Sequence, residues 1–282
     1  MKIKDLFLLV RTLLLFALST SFLYGESIKE INLGILSLAP PTTTYKSWKP
    51  FAKYLSKKTG LKVNIIAPKG FKKLKTMAVD KKVDIFYINS LIFYKLKIAK
   101  QAVAIAQMKN IANEITSRSD IFVRRDSKID SVSQLKGKTV AYVSPMGAGG
   151  YLAPKAYLIN EGLQPKEIFT KNLTNSIYNV LLGKVDAATM CGVNYKLMSQ
   201  KLQTGELKII ASSTKYPENV LAARSGLSLA FVDKIKKIVI GMPQSKEGKT
   251  VLNKMQSMKI KEFILYDERI ENLTKELLLV GE

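Results

Sequence analysis

Histidine is absent from the sequence, and cysteine occurs once, as Cys191. Without histidine, Ser-His and Cys-His catalytic pairs and histidine metal sites are excluded, and the usual proton acceptor at neutral pH is missing. A single cysteine excludes an internal disulfide and a zinc site built from several cysteines. No two carboxylates are placed so as to stand out as an acid–base pair. We therefore expect no catalytic residues, no cofactor and no resident metal.

Complete glycine motifs for nucleotides are also missing. Lys136-Gly137-Lys138-Thr139 imitates the end of a P-loop, but Val132 stands where the first glycine of that motif is required. The segment Met146-Gly147-Ala148-Gly149-Gly150 does not follow the G-x-G-x-x-G pattern of dinucleotide sites. Cys191 lies in an apolar stretch, where a cysteine is more often a small core residue than a reactive thiol.

Acidic residues are few, with 22 Asp and Glu against 45 Lys and Arg and a formal net charge of +23. The basic residues are scattered, and no nucleic-acid-binding motif accompanies them, so we expect no nucleic-acid partner. Two interpretations of the charge remain open. It either solubilises the surface or steers an anionic ligand or an acidic membrane surface toward the protein.

Long apolar runs are confined to the N-terminus. Lys2 and Lys4 precede an apolar stretch from residue 6 to residue 23, and Gly25 offers a small residue for cleavage before Glu26. This order is typical of a secretory signal peptide over residues 1–25, with an uncleaved anchor as the alternative. The part without a charge is shorter than the ~20 residues that span a bilayer. We therefore expect export to the periplasm.

The rest of the chain repeats one rhythm of strands and helices. In the first half, "INLGIL", "LKVNII" and "VDIFYI" have the character of strands, with helices between them and a loop "SLAPPTTTY" after the first strand. In the second half, "KTVAYV" and "VDAATM" are strands, and a helix runs from Asn175 to Leu182. Such alternation predicts an α/β fold with mostly parallel sheets.

Two such sheets predict two lobes with a ligand cleft between them. We expect lobe I to comprise residues 26–116 and 213–282, and lobe II residues 117–212. The strands Asp120 to Arg124 and Leu207 to Ala211 would carry the chain across and back. A helical stretch from Glu247 would pack against lobe I.

Ligands of open α/β sheets bind at the carboxyl ends of strands, where four candidate loops fall. A glycine turn between a strand and a helix is suited to holding an anion, although a plain turn is at least as common. Thr174, Asn175 or Ser176 would cap a helix, which requires no ligand. The candidate ligand-binding residues from these loops are Thr43, Thr44, Tyr45, Asn89, Ser90, Gly147, Ala148, Gly149, Gly150, Thr174, Asn175 and Ser176.

Several longer segments resemble one known family. The segments "VRRDSKIDSVSQLKGKTVAYVSPMGAGGYLAP", "VLLGKVDAAT" and "VLAARSGLSLAFVDKIKKIV" are similar to the phosphonate-, phosphite- and phosphate-binding periplasmic proteins of ABC importers. The likeness extends over most of the chain after residue 25. It implies a type II periplasmic binding fold, whose two lobes close on an oxyanion destined for a membrane permease. It also adds Arg118, Ser119, Tyr151 and Asp186 to the candidate ligand-binding residues.

The glycine turn departs from the family pattern. The family has Ser-Thr-Ser-Gly-Tyr where this chain has Gly147-Ala148-Gly149-Gly150-Tyr151. Three hydroxyl hydrogen bonds to an anion, at ~1.5–3 kcal/mol each, amount to several orders of magnitude in affinity. Hydrogen bonds from backbone N–H groups and from Arg118 replace part of this lost affinity. We therefore expect the ligand to be small and to differ from phosphonate. It is either an oxyanion or a small organic solute.

The leading hypothesis is a periplasmic solute-binding protein of an ABC importer, which acts as a monomer and is not an enzyme. A periplasmic sensor that reports its ligand to a membrane histidine kinase is the alternative from another class. An enzyme on the same fold is a third option, which the absence of histidine disfavours.

Overall fold

The computed structural model describes residues 28–36, 41–202 and 205–280. The predicted signal peptide lies outside the described residues, so residues 1–25 stay a prediction. The described strands, in chain order, are β1 (Glu30–Ile35), β2 (Lys62–Ile66), β3 (Ile85–Ile88), β4 (Ala102–Asn110), β5 (Thr116–Ser117), β6 (Ser119–Arg124), β7 (Thr139–Tyr142), β8 (Lys166–Phe169), β9 (Ala187–Cys191), β10 (Leu207–Ser212), β11 (Tyr216–Pro217), β12 (Val220–Arg224) and β13 (Ile260–Ile264).

The helices lie between these strands and after them. The described helices are α1 (Pro41–Thr59), α2 (Phe71–Val79), α3 (Ser90–Ile98), α4 (Ala153–Asn160), α5 (Leu173–Leu181), α6 (Gly192–Leu202), α7 (Leu229–Ile240), α8 (Lys246–Met255) and α9 (Glu271–Val280). A π-helical turn, Ala148–Leu152, precedes α4 directly.

Two mixed sheets form the framework. The first has the strand order β13-β4-β12-β3-β1-β2, and the second has the order β10-β6-β9-β7-β8. A short antiparallel pair, β5 with β11, lies where the chain passes from one sheet to the other and back. The predicted α/β architecture with two sheets is therefore present.

The prediction of mostly parallel sheets is wrong in detail. Strands joined by a helix, β1 with β2 and β3, and β7 with β8 and β9, pair in parallel. The remaining strands, β4, β6, β10, β12 and β13, pair antiparallel with their neighbours. The two crossing segments cause part of this difference, because they feed strands into the sheets from the opposite direction.

Helix α1 begins earlier than predicted. Pro41 is its first residue, so Thr43, Thr44 and Tyr45 lie in its first turn and not in the predicted loop. Proline is well tolerated there, because the first N–H groups of a helix have no partner within the helix. Gly60 ends the helix as expected, with φ of 79°.

The C-terminal part differs from the predicted helical stretch. Helix α8 is followed by β13, which forms the edge of the first sheet beside β4. Helix α9 then packs against the second lobe's core, where Leu277 is buried together with Leu152 and Ala153. Glu271 of α9 also pairs with Lys97 of α3 in the first lobe (2.6 Å), so α9 contacts both lobes and the prediction that the whole C-terminal stretch packs on lobe I is incomplete for it.

The repeated phrase Lys-Val-Asp has the same structural role in both halves. The carboxylate of Asp84 accepts a hydrogen bond from the backbone N–H of Asn32 (2.8 Å), and that of Asp186 accepts one from Thr139 (2.8 Å). The backbone N–H of each aspartate also donates to the carbonyl of the same partner. Each aspartate therefore joins the starts of two neighbouring parallel strands.

Candidate functional site

A cavity of about 110 Å³ lies between the two sheets, at the carboxyl ends of β1, β3, β7 and β9. Parallel strands bring the loops that follow them to one edge, which is where ligands of such sheets bind. Five predicted residues line this cavity: Asn89, Gly147, Ala148, Gly149 and Gly150.

Ten further lining residues were not predicted. The apolar ones are Leu36, Phe71, Val143 and Leu173. The polar ones are Ser144, Cys191, Asn194, Tyr216, Asn219 and Lys259. Lys259 and Tyr216 come from segments far along the chain, so no local pattern near the glycine turn points to them. The sequence predicts that Cys191 is a core residue. It is buried, and it also forms part of the cavity wall.

Close packing around the turn requires glycine at positions 149 and 150. A Cβ on Gly149 would lie 2.0 Å from Tyr216 Oη, and one on Gly150 would lie 3.2 Å from Val143 Cβ. The first distance is far inside van der Waals contact, so any side chain at Gly149 displaces the tyrosine. Ser119 Oγ, a predicted ligand group, donates instead to the carbonyl of Gly149 at 2.5 Å. It therefore holds the turn in place.

The hydroxyl of Tyr216 is buried beside Ser119 and Cys191 and makes no hydrogen bond of good geometry with the described residues. Only 3% of the residue is exposed, and burial raises the pKa of Tyr216 well above its usual value. The hydroxyl thus stays protonated at neutral pH and can donate to an acceptor. A buried donor without a partner costs about 1–3 kcal/mol, which an acceptor on a ligand would recover.

Lys259 is the charged residue on the cavity wall. Its Nζ lies 2.7 Å from Glu218 Oε2 and 3.6 Å from Cys191 Sγ. Burial opposes the charge of the ammonium, but Cys191 and Glu218 outweigh it and raise the pKa of Lys259. For Glu218 burial acts in the opposite direction, and Lys259 more than offsets it, so the pKa of this carboxyl is lowered. The two residues therefore form a charged pair.

Glu218 is fixed from several sides. It accepts hydrogen bonds from Asn110 Nδ2 at 3.0 Å and from the hydroxyl of Ser117. Because its charge is balanced by Lys259, the pair adds little net charge to the cavity. The recognition of an anion there depends on further groups.

Two contacts bridge the cleft between the sheets. Asn89, which follows β3 of the first sheet, donates from Nδ2 to the carbonyl of Met146 in the glycine turn (2.9 Å). Lys259, beside β13 of the first sheet, contacts Cys191 at the end of β9 in the second. The two lobes are therefore in contact across the cavity.

Several predicted residues lie outside the cavity lining. Thr43, Thr44 and Tyr45 belong to the first turn of α1. Ser90 donates to the carbonyl of Pro217 at 3.1 Å, and Arg118 donates to the carbonyl of Ser213 at 2.9 Å. Both bonds link segments at the crossing between the sheets, which gives these two residues a structural role.

Tyr151 belongs to the core of the second lobe. Its hydroxyl donates to Glu167 Oε2 at 2.9 Å, and its ring packs edge-on against Tyr142 and Phe169. Burial is the largest cause that raises the pKa of Tyr151.

The cap of α5 was assigned to the wrong residue. Asn172 caps the helix, accepting from the backbone N–H of Asn175 at 2.8 Å, whereas Thr174, Asn175 or Ser176 was predicted. Asn175 Nδ2 donates to the carbonyl of Thr170, and Ser176 is buried against the Thr170 hydroxyl. Four residues of capping type follow one another closely here, so the sequence pattern could not choose between them.

Asp186 lies at the far end of its strand from the cavity. It precedes β9, whereas Cys191 at the other end of β9 lines the cavity. Four residue steps along a strand separate the ends of β9 by about 13 Å. The structure therefore does not bring Asp186 together with the other predicted site residues, and its carboxylate serves the strand junction described above.

The comparisons with known proteins agree with this geometry. The family described as "ABC transporter, phosphonate, periplasmic substrate-binding protein" matches residues 33–268. The chain belongs to this family. The type II binding fold and the function of a periplasmic solute-binding protein of ABC transporters follow from that membership.

Individual relatives are more distant. The phosphonates-binding periplasmic protein of Escherichia coli (strain K12) is 27% identical over 250 residues, which cover 82% of this chain and 71% of that protein. The structure of PhnD1 from Prochlorococcus marinus (MIT 9301) in complex with methylphosphonate has a TM-score of 0.76 at 18% identity, covering 90% of this chain and 97% of that one. At this identity the structural likeness shows the fold alone.

One relative belongs to a different functional class. The tetrathionate sensor histidine kinase TtrS of Salmonella typhimurium (strain LT2) is 25% identical over 257 residues, which cover 83% of this chain but only 43% of that protein.

In the part of the chain that the structure describes, no helix is both long and apolar enough to cross a bilayer.

Proposed function

We propose that the cavity binds a small oxyanion at the N-termini of helices. Four helical segments begin at its wall: α3 after Asn89, the π turn after Gly147, α5 with Leu173, and α6, which carries Asn194 in its first turn. None of them has an acidic residue in its first turn. Free N–H groups and helix dipoles favour an anion at such a place. This convergence is the observation that carries the proposal.

The polar side chains support the same ligand class. Lys259 has donors beyond the one used by Glu218, and the Tyr216 hydroxyl offers a donor without a partner. Because Glu218 balances the ammonium, backbone dipoles supply the surplus positive potential. The ligand is therefore a small anion held mainly by N–H and O–H donors. Phosphate, phosphonates and sulfur oxyanions are the compounds to test.

The remaining expectations complete this proposal. The chain is exported by residues 1–25 and delivers its ligand to an ABC permease in the inner membrane. It acts as a monomer, and binding is its whole chemistry. Residues 26–116 with 213–282 form lobe I, and residues 117–212 form lobe II, with α9 in contact with both lobes.

Thermal unfolding tests the ligand class. The melting temperature of the purified protein is measured with phosphate, methylphosphonate, sulfate, tetrathionate and a neutral sugar. A ligand at a hundredfold excess over its Kd stabilises the folded state by about 2.7 kcal/mol, so at least one oxyanion should raise the melting temperature. A rise with the sugar and with none of the oxyanions would refute the proposal.

A matched set of variants tests the helix N-termini. Leu173→Glu places a carboxylate at the first position of α5, which the helix itself tolerates well. An anion about 4 Å away would be repelled by about 4 kcal/mol, so the thermal shift with the oxyanion should disappear. Leu173→Gln removes the same apolar side chain without adding charge and should keep most of the shift.

A second control places the same change at another helix. Leu229 is the first residue of α7, follows a serine cap, and is exposed away from the cavity. Leu229→Glu should leave the shift unchanged. If Leu173→Glu binds as well as Leu229→Glu, the anion is not held at the start of α5.

A sensor role is the second candidate. The similarity to TtrS and to a histidine kinase sensor domain of known structure (TM-score 0.59, 16% identity) favours it. Co-purification from the native membrane separates the two roles. An importer retains a permease with its ATPase, whereas a sensor retains a histidine kinase.

A further inference from the structure

We propose that Cys191 captures ligands that contain a sulfur–sulfur bond, by thiol–disulfide exchange inside the cavity. The compounds concerned carry an oxyanion head beside that bond, as polythionates and S-sulfonates do. This inference names a ligand class for the same cavity, and it rests on the proposed binding of an oxyanion there.

The position of the thiol is the first argument. Cys191 ends β9 at the edge where the ligand loops meet, and its side chain forms part of the cavity wall. It is the only cysteine in the chain, so no second cysteine competes to form an internal disulfide. A disulfide at Cys191 therefore forms with a molecule that enters the cavity.

The surroundings of the thiol are the second argument. The ammonium of Lys259 lies 3.6 Å from Sγ, so a positive charge stands beside the sulfur that acts as the nucleophile. The contact crosses the cleft, from the strand β13 region of one sheet to β9 of the other. The positive charge beside the thiol is therefore supplied across the cleft, by a residue next to the other sheet.

The Tyr216 hydroxyl, which makes no hydrogen bond of good geometry, is the third argument and points to a ligand. It is buried in the wall of the same cavity, against Gly149 of the glycine turn. An oxyanion head seated at the turn would supply the missing acceptor. Its S–S bond would then extend toward Cys191, which lines the same small space.

The exchange is balanced without a further oxidant. The thiol proton passes to solvent, and the thiolate attacks one sulfur of the S–S bond. A new bond forms between Cys191 Sγ and that sulfur, while the original S–S bond breaks and its other sulfur leaves with the bonding electron pair, as sulfite from an S-sulfonate and as methanesulfinate from methyl methanethiosulfonate. With tetrathionate the leaving group is thiosulfate, and the cysteine carries the remaining S-thiosulfonate group.

The test uses the full chain and two probes. Tetrathionate is the anionic probe, and methyl methanethiosulfonate is the neutral one. Intact-protein mass spectrometry follows the formation of one adduct per chain at neutral pH, and free cysteine serves as the reference thiol. We expect a single adduct with each probe, and a rate relative to free cysteine that is higher for tetrathionate. Cys191→Ser should form none.

Variants of the ion pair test the activation. Lys259→Met alone would leave the buried Glu218 without its partner and risk unfolding the protein. The double variant Lys259→Met with Glu218→Gln avoids this, and it should slow the reaction about tenfold, because the attacking sulfur loses the neighbouring positive charge. Lys259→Arg should retain the fast reaction. Lys208→Met, which breaks an ion pair with Asp130 in the second lobe, is the matched control and should react like the parent.

Each result separates this inference from the proposed function. A protein that responds to oxyanions in thermal unfolding but gives no adduct refutes the capture by Cys191 and leaves the proposed function intact. An adduct that forms equally fast in the double variant refutes the activation by Lys259. An adduct without a thermal response to any oxyanion refutes the proposed function.

Discussion

The two halves of the chain carry the same strand junction in different surroundings. In the first half, Asp84 joins β1 and β3 and also contacts the guanidinium of Arg224, with Nε 3.1 Å from Oδ1. Both side chains are nearly inaccessible to solvent. In the second half, Asp186 makes the same backbone bond, but its ion-pair partner is Lys138 at 3.6 Å, and both side chains are partly exposed.

The difference shows that the same Lys-Val-Asp segment can contribute differently to the free energy of unfolding in the two halves. The backbone bond is shared, so the geometry of the parallel strands is set in the same way in both halves. The ion pair is buried only in the first half, because β12 returns there and places Arg224 beside Asp84. In the second half, close packing occurs at the other edge, where Tyr216 fills the space beside Gly149.

The largest effect is expected from Asp84→Asn. The amide can still accept from Asn32, but Arg224 loses its buried carboxylate, which typically costs about 3–5 kcal/mol. Urea unfolding measures the change in the free energy of unfolding. The double variant Asp84→Asn with Arg224→Met should recover much of the loss. A cost below about 1 kcal/mol for the single variant would show that the burial of the pair has little weight.

The close contact in the second half should give the next largest effect. Gly149→Ala places a methyl group where the tyrosine ring lies, and overpacking of this kind costs about 1–3 kcal/mol. Gly147→Ala is the matched control, because its Cβ would lie no closer than 3.2 Å to Ser144 O. Thermal unfolding of the two variants compares them. Equal melting temperatures would contradict the role of Tyr216.

Asp186→Asn should have a smaller effect than Asp84→Asn. Its partner Lys138 is solvated, so the variant weakens one hydrogen bond and one exposed ion pair, at a cost of about 1 kcal/mol. Urea unfolding under the same conditions gives the direct comparison. If the two asparagine variants lose equal stability, burial does not distinguish the two junctions. Oxyanion binding should be unchanged in Asp186→Asn, because the residue lies far from the cavity.

The smallest effect is expected from Lys138→Met. The ion pair with Asp186 is long and exposed, and such pairs contribute less than about 0.5 kcal/mol. The backbone bond from Thr139 to Asp186 remains. Unfolding at low and at high salt checks this, since the difference from the parent should shrink as salt screens the pair. A loss of unfolding free energy above about 2 kcal/mol would mean that this exposed pair stabilises the protein as much as a buried pair does.

Much of the fold could be predicted because it is encoded locally. The helix with Trp48, Phe51 and Leu55 on one face, the parallel strand-helix-strand units and the stop at Gly60 all follow from short-range patterns. The sequence predicts helix where β13 lies, because its few residues follow a genuine helix and carry no clear alternation. Its pairing with β4 is set by contacts distant in sequence.

The candidate site was predicted only where it lies beside a strand end. Asn89 and the glycine turn line the cavity, as the position of ligand loops in α/β sheets indicates. The prediction of Arg118 and Asp186 rests on their match to family positions. The structure places both outside the cavity lining, where each has a structural partner.

The sequence alone determined that this protein has no histidine chemistry and no internal disulfide. It also determined the two strand-and-helix units and the glycine turn between β7 and the helix that follows. These properties depend on composition and on neighbours a few residues apart. The tertiary structure alone decided that Tyr216, Cys191 and Lys259 share one cavity, because they come from three separate segments that the packing of the two sheets brings together. It also decided that the two Lys-Val-Asp segments differ in their contribution to stability, since the burial of each aspartate depends on the strand that returns beside it.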